Sequence, residues 1–381
     1  MSKSTSALAT PLREQLERLA AFEPSEIPVI SLYLDVRADQ HGRDNYDAFL
    51  RKSFGSRSAT LSGDARKSFD ADVERINQYL QQELKPSTNG LAIFACSAQN
   101  FFEAVQMDVA PDGHWLFLAS VPHLYPLARL TDQYPRYAAL LVNTNSARIF
   151  VFGLGSTESQ HEVTGTKTRR TMMGGWSQAR YQRHVENFHL HHMKEVVDVL
   201  DRVVRDEALT QIILSCDETT RPSILEQLPQ HLRDKVVETT SLGIDAPGHE
   251  VLAATTELMR QKDADGDAEQ VERMLGAWRA NGLAVAGPDD TALALSMGQV
   301  EEVLIAAVPD GLRRASALPE AAPGTTDVES STPTPGDADK WKLADELITR
   351  AHQTGARVRF IENTSLLDPV GGVGALLRFR I

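Results

Sequence analysis

Apolar residues along the chain come in short runs, some alternating and some unbroken, separated by longer polar stretches with helical spacing; this predicts strands interleaved with helices. In the first third, IPVISLYLDV (27–36), GLAIFACS (90–97), FFEAVQMDV (101–109) and HWLFLASV (114–121) read as strands. A polar helix precedes them, and a charged region from Arg43 to Leu84 reads as helical, with Gly55 and Gly63 as expected breaks.

From about Arg136 the pattern changes. AALLVN (138–143) and ARIFVFG (147–153) flank Thr144-Asn145-Ser146, whose residue types suit a hairpin turn. Tyr181, Val185, Phe188, Val196, Leu200 and Val203 then mark one face of a long helix reaching about Arg205. The strand TQIILSC (210–216), a helix over 221–228, the strand KVVETTS (235–241) and a helix from about Gly248 follow. Strands alternating with helices predict an α/β unit.

The last segment opens at about Asp263. Asp289-Asp290-Thr291 offers helix caps for TALALSMG, and VEEVLIAAV (300–308) reads as a buried strand. Ala317 to Asp339 holds Pro, Ala, Gly, Ser, Thr and Asp with hardly a large apolar side chain, and is expected to be a disordered insert. KLADELITRAHQTG (342–355) is the next helix, ARVRFIE (356–362) the next strand, and GGVGALLRFRI (371–381) closes the chain. The fold class expected is therefore α/β, in three domains: 1–132, 136–262 and 263–381.

With 381 residues, of which 42% are hydrophobic, the chain can bury two or three cores of ordinary domain size. No apolar run approaches the roughly 18 residues a membrane span needs, and the N-terminus lacks the apolar core of a secretory signal, so no membrane partner and a cytoplasmic location are expected. The net charge of −13 repels nucleic acid as a whole, and no DNA partner is expected. Cys96 and Cys216 fall in apolar strand-like runs without metal-ligand spacing, which reads as two buried thiols. Nothing in the chain calls for a cofactor or a metal.

One stretch contradicts the acidic balance. From Val163 to Val185 the chain reads VTGTKTRRTMMGGWSQARYQRHV, with Lys167, Arg169, Arg170, Arg180 and Arg183 and no acidic residue. A basic loop on an acidic molecule can hold a phosphate-rich partner only at short range, where counterions are released. Gly174 and Gly175 let the main chain approach a ligand closely, and Gln178 stands just ahead of the long helix, whose positive N-terminal end favours a phosphate. The bland alternative is a surface loop whose arginines are merely solvated. Trp176 could stack on a base or anchor the loop on the sheet. His184, His189, His191 and His192 resemble a metal cluster, but on a helix His189 and His192 share a face only as an i, i+3 pair, His191 points elsewhere, and no nearby Cys or Asp completes a set; a helix face near RNA is the alternative use. Gly371, Gly372 and Gly374 have no P-loop lysine after them, so tight backbone packing is expected there.

The order of hairpin, basic Gly-Gly loop with a glutamine, and long helix, followed in the last segment by GQVEEVLIA and GGVGALLRF, resembles the archaeal and eukaryotic class-one peptide-chain release factors and Pelota, in the bacterial archaeo-eukaryotic release factor family. The resemblance covers the second and third segments. It implies an RNase-H-like middle domain, a C-terminal α/β/α sandwich, and a ribosomal partner comprising ribosomal RNA and tRNA, with a translational GTPase as a candidate partner. It also implies hydrolysis of the peptidyl-tRNA ester, with Gly174, Gly175 and Gln178 at the reaction centre. Lys167, Arg169, Arg170, Trp176, Arg180 and Arg183 would then hold RNA. This chain departs from the family's contiguous Gly-Gly-Gln by inserting Trp176 and Ser177, and its first segment carries neither of the short codon-reading motifs. The other implied role is occupancy of the aminoacyl site of idle ribosomes without chemistry.

Overall fold

The computed structural model describes residues 12–38, 46–164, 178–308, 312 and 335–380. The chain divides into two compact units, one contiguous (Tyr134–Lys262) and one composed of both ends (Met1–Gln133 with Asp263–Ile381). Mixed α/β architecture holds in both, with three sheets among the described residues.

The contiguous unit is built on β5 (Tyr137–Val142), β6 (Ser146–Gly153), β7 (Ser156–Thr164), β8 (Ile212–Ser215) and β9 (Val236–Thr240), in the order β7-β6-β5-β8-β9. β5, β8 and β9 run parallel, while β6 and β7 are added antiparallel. Period-two alternation sends residues to opposite faces, and here both faces are apolar, which explains the unbroken runs in β5 and β8. Ala138, Leu140, Val142, Ile149, Val151, Ile212 and Leu214 face helices α5 (Gln178–Asp206), α6 (Arg221–Gln227) and α7 (Gln230–Arg233). Tyr137, Ala139, Leu141, Phe150, Phe152 and Ile213 face Val251 and Met259 of α8 (Gly248–Arg279). Each fully buried aliphatic side chain contributes about 1.5–3 kcal/mol, so these two layers are the main source of the unit's stability.

In the composite unit, β1 (Val29–Asp35), β2 (Gly90–Cys96), β3 (Phe101–Met107) and β4 (Trp115–Ala119) form an antiparallel sheet ordered β3-β2-β1-β4. Helix α1 (Leu12–Ala20) precedes it, and α2 (Asp47–Ser58) and α3 (Gly63–Gln82) cover one face through Leu50, Phe54, Phe69 and Ile76. The last segment supplies β10 (Ala284–Ala286), β11 (Val300–Ala306), β12 (Arg357–Ile361) and β13 (Val373–Leu377), ordered β10-β13-β11-β12. Helices α4 (Tyr125–Gln133), α9 (Pro288–Ser296) and α10 (Pro335–Gln353) and the second half of α8 complete the unit.

The two ends of the chain meet at a polar and aromatic seam. Asp345 on α10 accepts the Leu124 and Tyr125 N–H groups at 3.0 Å each, so a carboxylate remote in sequence caps α4, and the same side chain bonds His123 Nδ1. Tyr125 donates to the Ala306 carbonyl at 2.6 Å, and Trp341 lies edge-on to both His123 and Tyr125. Tyr33 donates to the His123 carbonyl at 2.6 Å.

Several local expectations change. Gly55 does not break α2, because Leu50 and Phe54 bury the helix and outweigh a propensity cost of about 1 kcal/mol. The N-cap of α9 is Gly287 at φ +94°, not the Asp289-Asp290-Thr291 run, and Thr291 is buried one turn inside. Helix α10 begins at Pro335, within the stretch expected to lack structure; proline suits a first helical position, where no N–H bond is lost. The remainder of that insert, 317–334, lies outside the described residues. Cys96 and Cys216 are both free and buried, as expected. So is the close packing of the last glycines: a Cβ on Gly374 would lie 2.8 Å from the Met274 sulfur. Among the described residues no helix is long and apolar enough to cross a membrane.

Candidate functional site

The candidate site lies at the end of the central sheet where parallel strands β5 and β8 present their carboxyl termini, the usual ligand edge of an α/β sheet. Three chain passages converge there. The β5–β6 turn spans Asn143 to Ser146, β7 ends at Thr164 opposite Ser146, and α5 begins beyond it.

The turn is organised by one side chain. Asn143 Oδ1 accepts the Asn145 N–H at 2.9 Å, the Ser146 N–H at 2.8 Å and the Ser146 hydroxyl at 3.0 Å. An asparagine at the head of a turn closes it in this way, which is why the residue type occurs there. The Thr144 carbonyl, at the tip, accepts a hydrogen bond from His189 Nδ1 on α5 at 2.8 Å. The acceptor is a carbonyl, so Nδ1 carries the proton.

That bond divides α5. After it, Met193, Val196, Val197, Leu200, Val203 and Val204 are buried against the sheet. Before it stand eleven residues, Gln178 to Phe188, which at 1.5 Å per residue span about 16 Å. His189 is level with the sheet's terminal turn, and these eleven residues continue the helix beyond it, away from the half that is buried against the sheet.

Gln178 is the first residue of α5, so the helix starts three residues earlier than the apolar spacing predicts and includes the glutamine. Arg180 and Arg183 follow in its first two turns, where the unpaired N–H groups favour an anion. Lys167, Arg169, Arg170, Gly174, Gly175 and Trp176 lie outside the described residues, as does the span 165–177 that joins Thr164 to Gln178.

The histidines separate by face. His192 is buried, 2% exposed, and burial holds its imidazole below the ordinary value, so it is a neutral core residue and not part of an RNA-facing surface. His191 is exposed and His189 is committed to Thr144. Among the described residues, no group of three or more His, Cys, Asp or Glu is placed to hold a metal.

Two features escape sequence reading. Strand β7 is polar and mostly exposed because it is the sheet's edge, so it shows no apolar run. The roles of Asn143 and His189 depend on a contact across forty-five residues; the only signal was an asparagine at the head of a turn.

Comparison with known proteins bears on this unit first. Residues 122–260 match the Bacterial archaeo-eukaryotic release factor family 10. Over this stretch the chain resembles those release factors. Over nearly its whole length it is also similar to the peptide chain release factor subunit 1 of Thermococcus kodakarensis, at 23% identity over 412 residues and 97% of each chain. The factor of the same name from Pyrococcus abyssi is 24% identical, covering 97% of this chain and 98% of its own. Among solved structures, the archaeal translation termination factor aRF1 aligns over 96% of this chain and 98% of its own, with 17% identity and a TM-score of 0.27.

Proposed function

We propose that this protein is a ribosome-binding translation factor that releases or rescues stalled nascent chains by hydrolysing peptidyl-tRNA, with Gln178 presented at the tip of the projecting end of α5. The observation that carries the reading is the projection itself. A basic segment with a glycine pair is attached to a helix end that continues about 16 Å beyond the residue held at the sheet's terminal turn, a shape suited to entering a cavity in RNA.

The chemistry follows from the ester. Water attacking its carbonyl needs to be positioned, and the developing oxyanion needs donors. Gln178 orders the water through its backbone N–H or side-chain amide; an amide takes up no proton near neutral pH, so it does not act as a general base. The RNA supplies the rest of the environment. Lys167, Arg169, Arg170, Arg180 and Arg183 hold phosphates, Trp176 stacks on a base, and Gly174 and Gly175 give the backbone freedom to fit. The work is done in the cytoplasm, without a cofactor.

A translational GTPase is the second partner, received by the composite unit. Leu283, Met297 and Phe379 are exposed near one end of the C-terminal sheet, where Leu377 N–H bonds the Leu283 carbonyl at 3.0 Å and Arg378 N–H the Gln299 carbonyl at 2.8 Å. Neighbouring exposed apolar side chains of this size fit a protein partner.

The test is peptide release from stalled ribosomes. Gln178→Ala should lower the release rate about 100-fold with binding retained, the scale for removing one oxyanion-type contact. Neutralising the five cations should flatten the dependence of log affinity on log salt by about one for each cation removed. Tight binding with no release by the wild type would replace hydrolysis with occupancy of the aminoacyl site. Affinity and salt response unchanged by neutralisation would end the ribosomal reading.

A further inference from the structure

We propose that His189, set by Asn143, is the positioning residue that aims the projecting end of α5. This rests on the reading of that end as the part that meets RNA.

Leverage makes the position matter. Gln178 stands about 16 Å from His189, so a swing of about 10° at the base displaces the tip by about 3 Å. Misplacement by about 1 Å is already enough to cost a large factor in a reaction that depends on orientation. Something must fix the direction, and among the residues of α5 whose side chains are described the fully buried ones begin at His192 and Met193, beyond the base. Among the described side chains, His189 is the first along α5 with a hydrogen bond to the sheet. Its neighbour Phe188 packs edge-on against the imidazole, with ring centroids 6.0 Å apart.

The acceptor is itself prepared. A carbonyl at a turn tip points wherever the turn points it, and Asn143 locks this one with three hydrogen bonds through a single oxygen. Asn143 therefore acts on His189 through Thr144, as one link in a series. Two links in series are non-additive: once one is removed, removing the other changes nothing more.

The experiment uses the full chain with His189→Ala, His189→Asn, Asn143→Ala and the double variant His189→Ala with Asn143→Ala. Amide hydrogen exchange is followed separately over 180–190 and 193–204, together with Tm and affinity for ribosomes. Losing one net hydrogen bond should speed exchange over 180–190 about tenfold. Exchange over 193–204 and the Tm should stay unchanged. Asparagine, whose amide nitrogen can take the place of Nδ1, should restore slow exchange, and the double variant should match His189→Ala.

Unchanged exchange over 180–190 in His189→Ala overturns the assignment. So does a rise along all of α5 with a lower Tm, which would mean simple packing. If exchange responds as expected while ribosome affinity stays the same in every variant, the brace stands and the RNA reading of the projecting end fails.

Discussion

The two compact units of this protein solve the same problem with opposite means. The central unit is one continuous stretch of chain, and its sheet is covered on both faces by apolar, non-aromatic side chains from helices close in sequence. The composite unit brings together segments more than two hundred residues apart, and at its seam the contacts are a carboxylate, an imidazole, tyrosine hydroxyls and an indole. Apolar burial is non-directional and tolerates exchange of like residues, whereas a capped helix end and a buried carboxylate depend on individual groups. The central unit should therefore lose stability through volume, and the composite unit through charge and hydrogen bonding.

The largest effect should come from volume. Ile149, fully buried in β6, replaced by alanine should cost the central unit about 4 kcal/mol, read from urea unfolding of that unit by hydrogen exchange. Exchange in β1 and β2 should stay as in the wild type. A matching loss there would mean the two units do not respond separately.

The next effect should come from the seam. Asp345→Ala leaves the Leu124 and Tyr125 N–H groups and His123 Nδ1 without their acceptor, at a cost of about 3 kcal/mol. Trp115 and Trp341, which lie together in that cluster, report it by fluorescence. A Tm unchanged within error would show that the seam is held by its rings alone.

The third and smallest effect runs in the opposite direction. Asp132 accepts the Phe360 N–H at 2.8 Å, and burial pushes its carboxyl up from 3.8 to about 7, partly offset by that bond and by Arg359. A carboxyl raised on folding binds a proton in the folded state between about pH 4 and 7 that the unfolded chain has released. Stability from this group is thus highest below pH 4, falls as pH rises to about 7, and is then level. The ceiling is about 4 kcal/mol; Asp132→Asn keeps a weaker acceptor for Phe360, so a gain of about 2 kcal/mol at pH 8 is expected, vanishing at pH 4. A gain that does not depend on pH would reject the cause.

The difference between the units also explains how much could be read from residues alone. Strands buried on both faces, such as β5 and β8, are unbroken apolar runs, and a long amphipathic helix such as α5 repeats its core positions every turn; both follow from local periodicity. The basic Gly-Gly segment and Gln178 stood out by composition alone. Strand β7 did not, since an edge strand keeps polar side chains, and α4 did not, since its cap is Asp345, far along the chain. His189 and His192 illustrate both outcomes: spacing put them on one helix face, while only packing made one a buried neutral ring and the other a tether.

Residue order by itself determined the periodic elements, the charge contrast between the acidic body and its one cation-rich stretch, and the resemblance to release factors. Tertiary structure decided that both ends of the chain share a unit and that α5 is held at Thr144, eleven residues from its start. Periodicity and composition record what each segment does with its own neighbours and with water. A single hydrogen bond between distant residues leaves no repeat in the sequence, because its geometry exists only once the rest has folded.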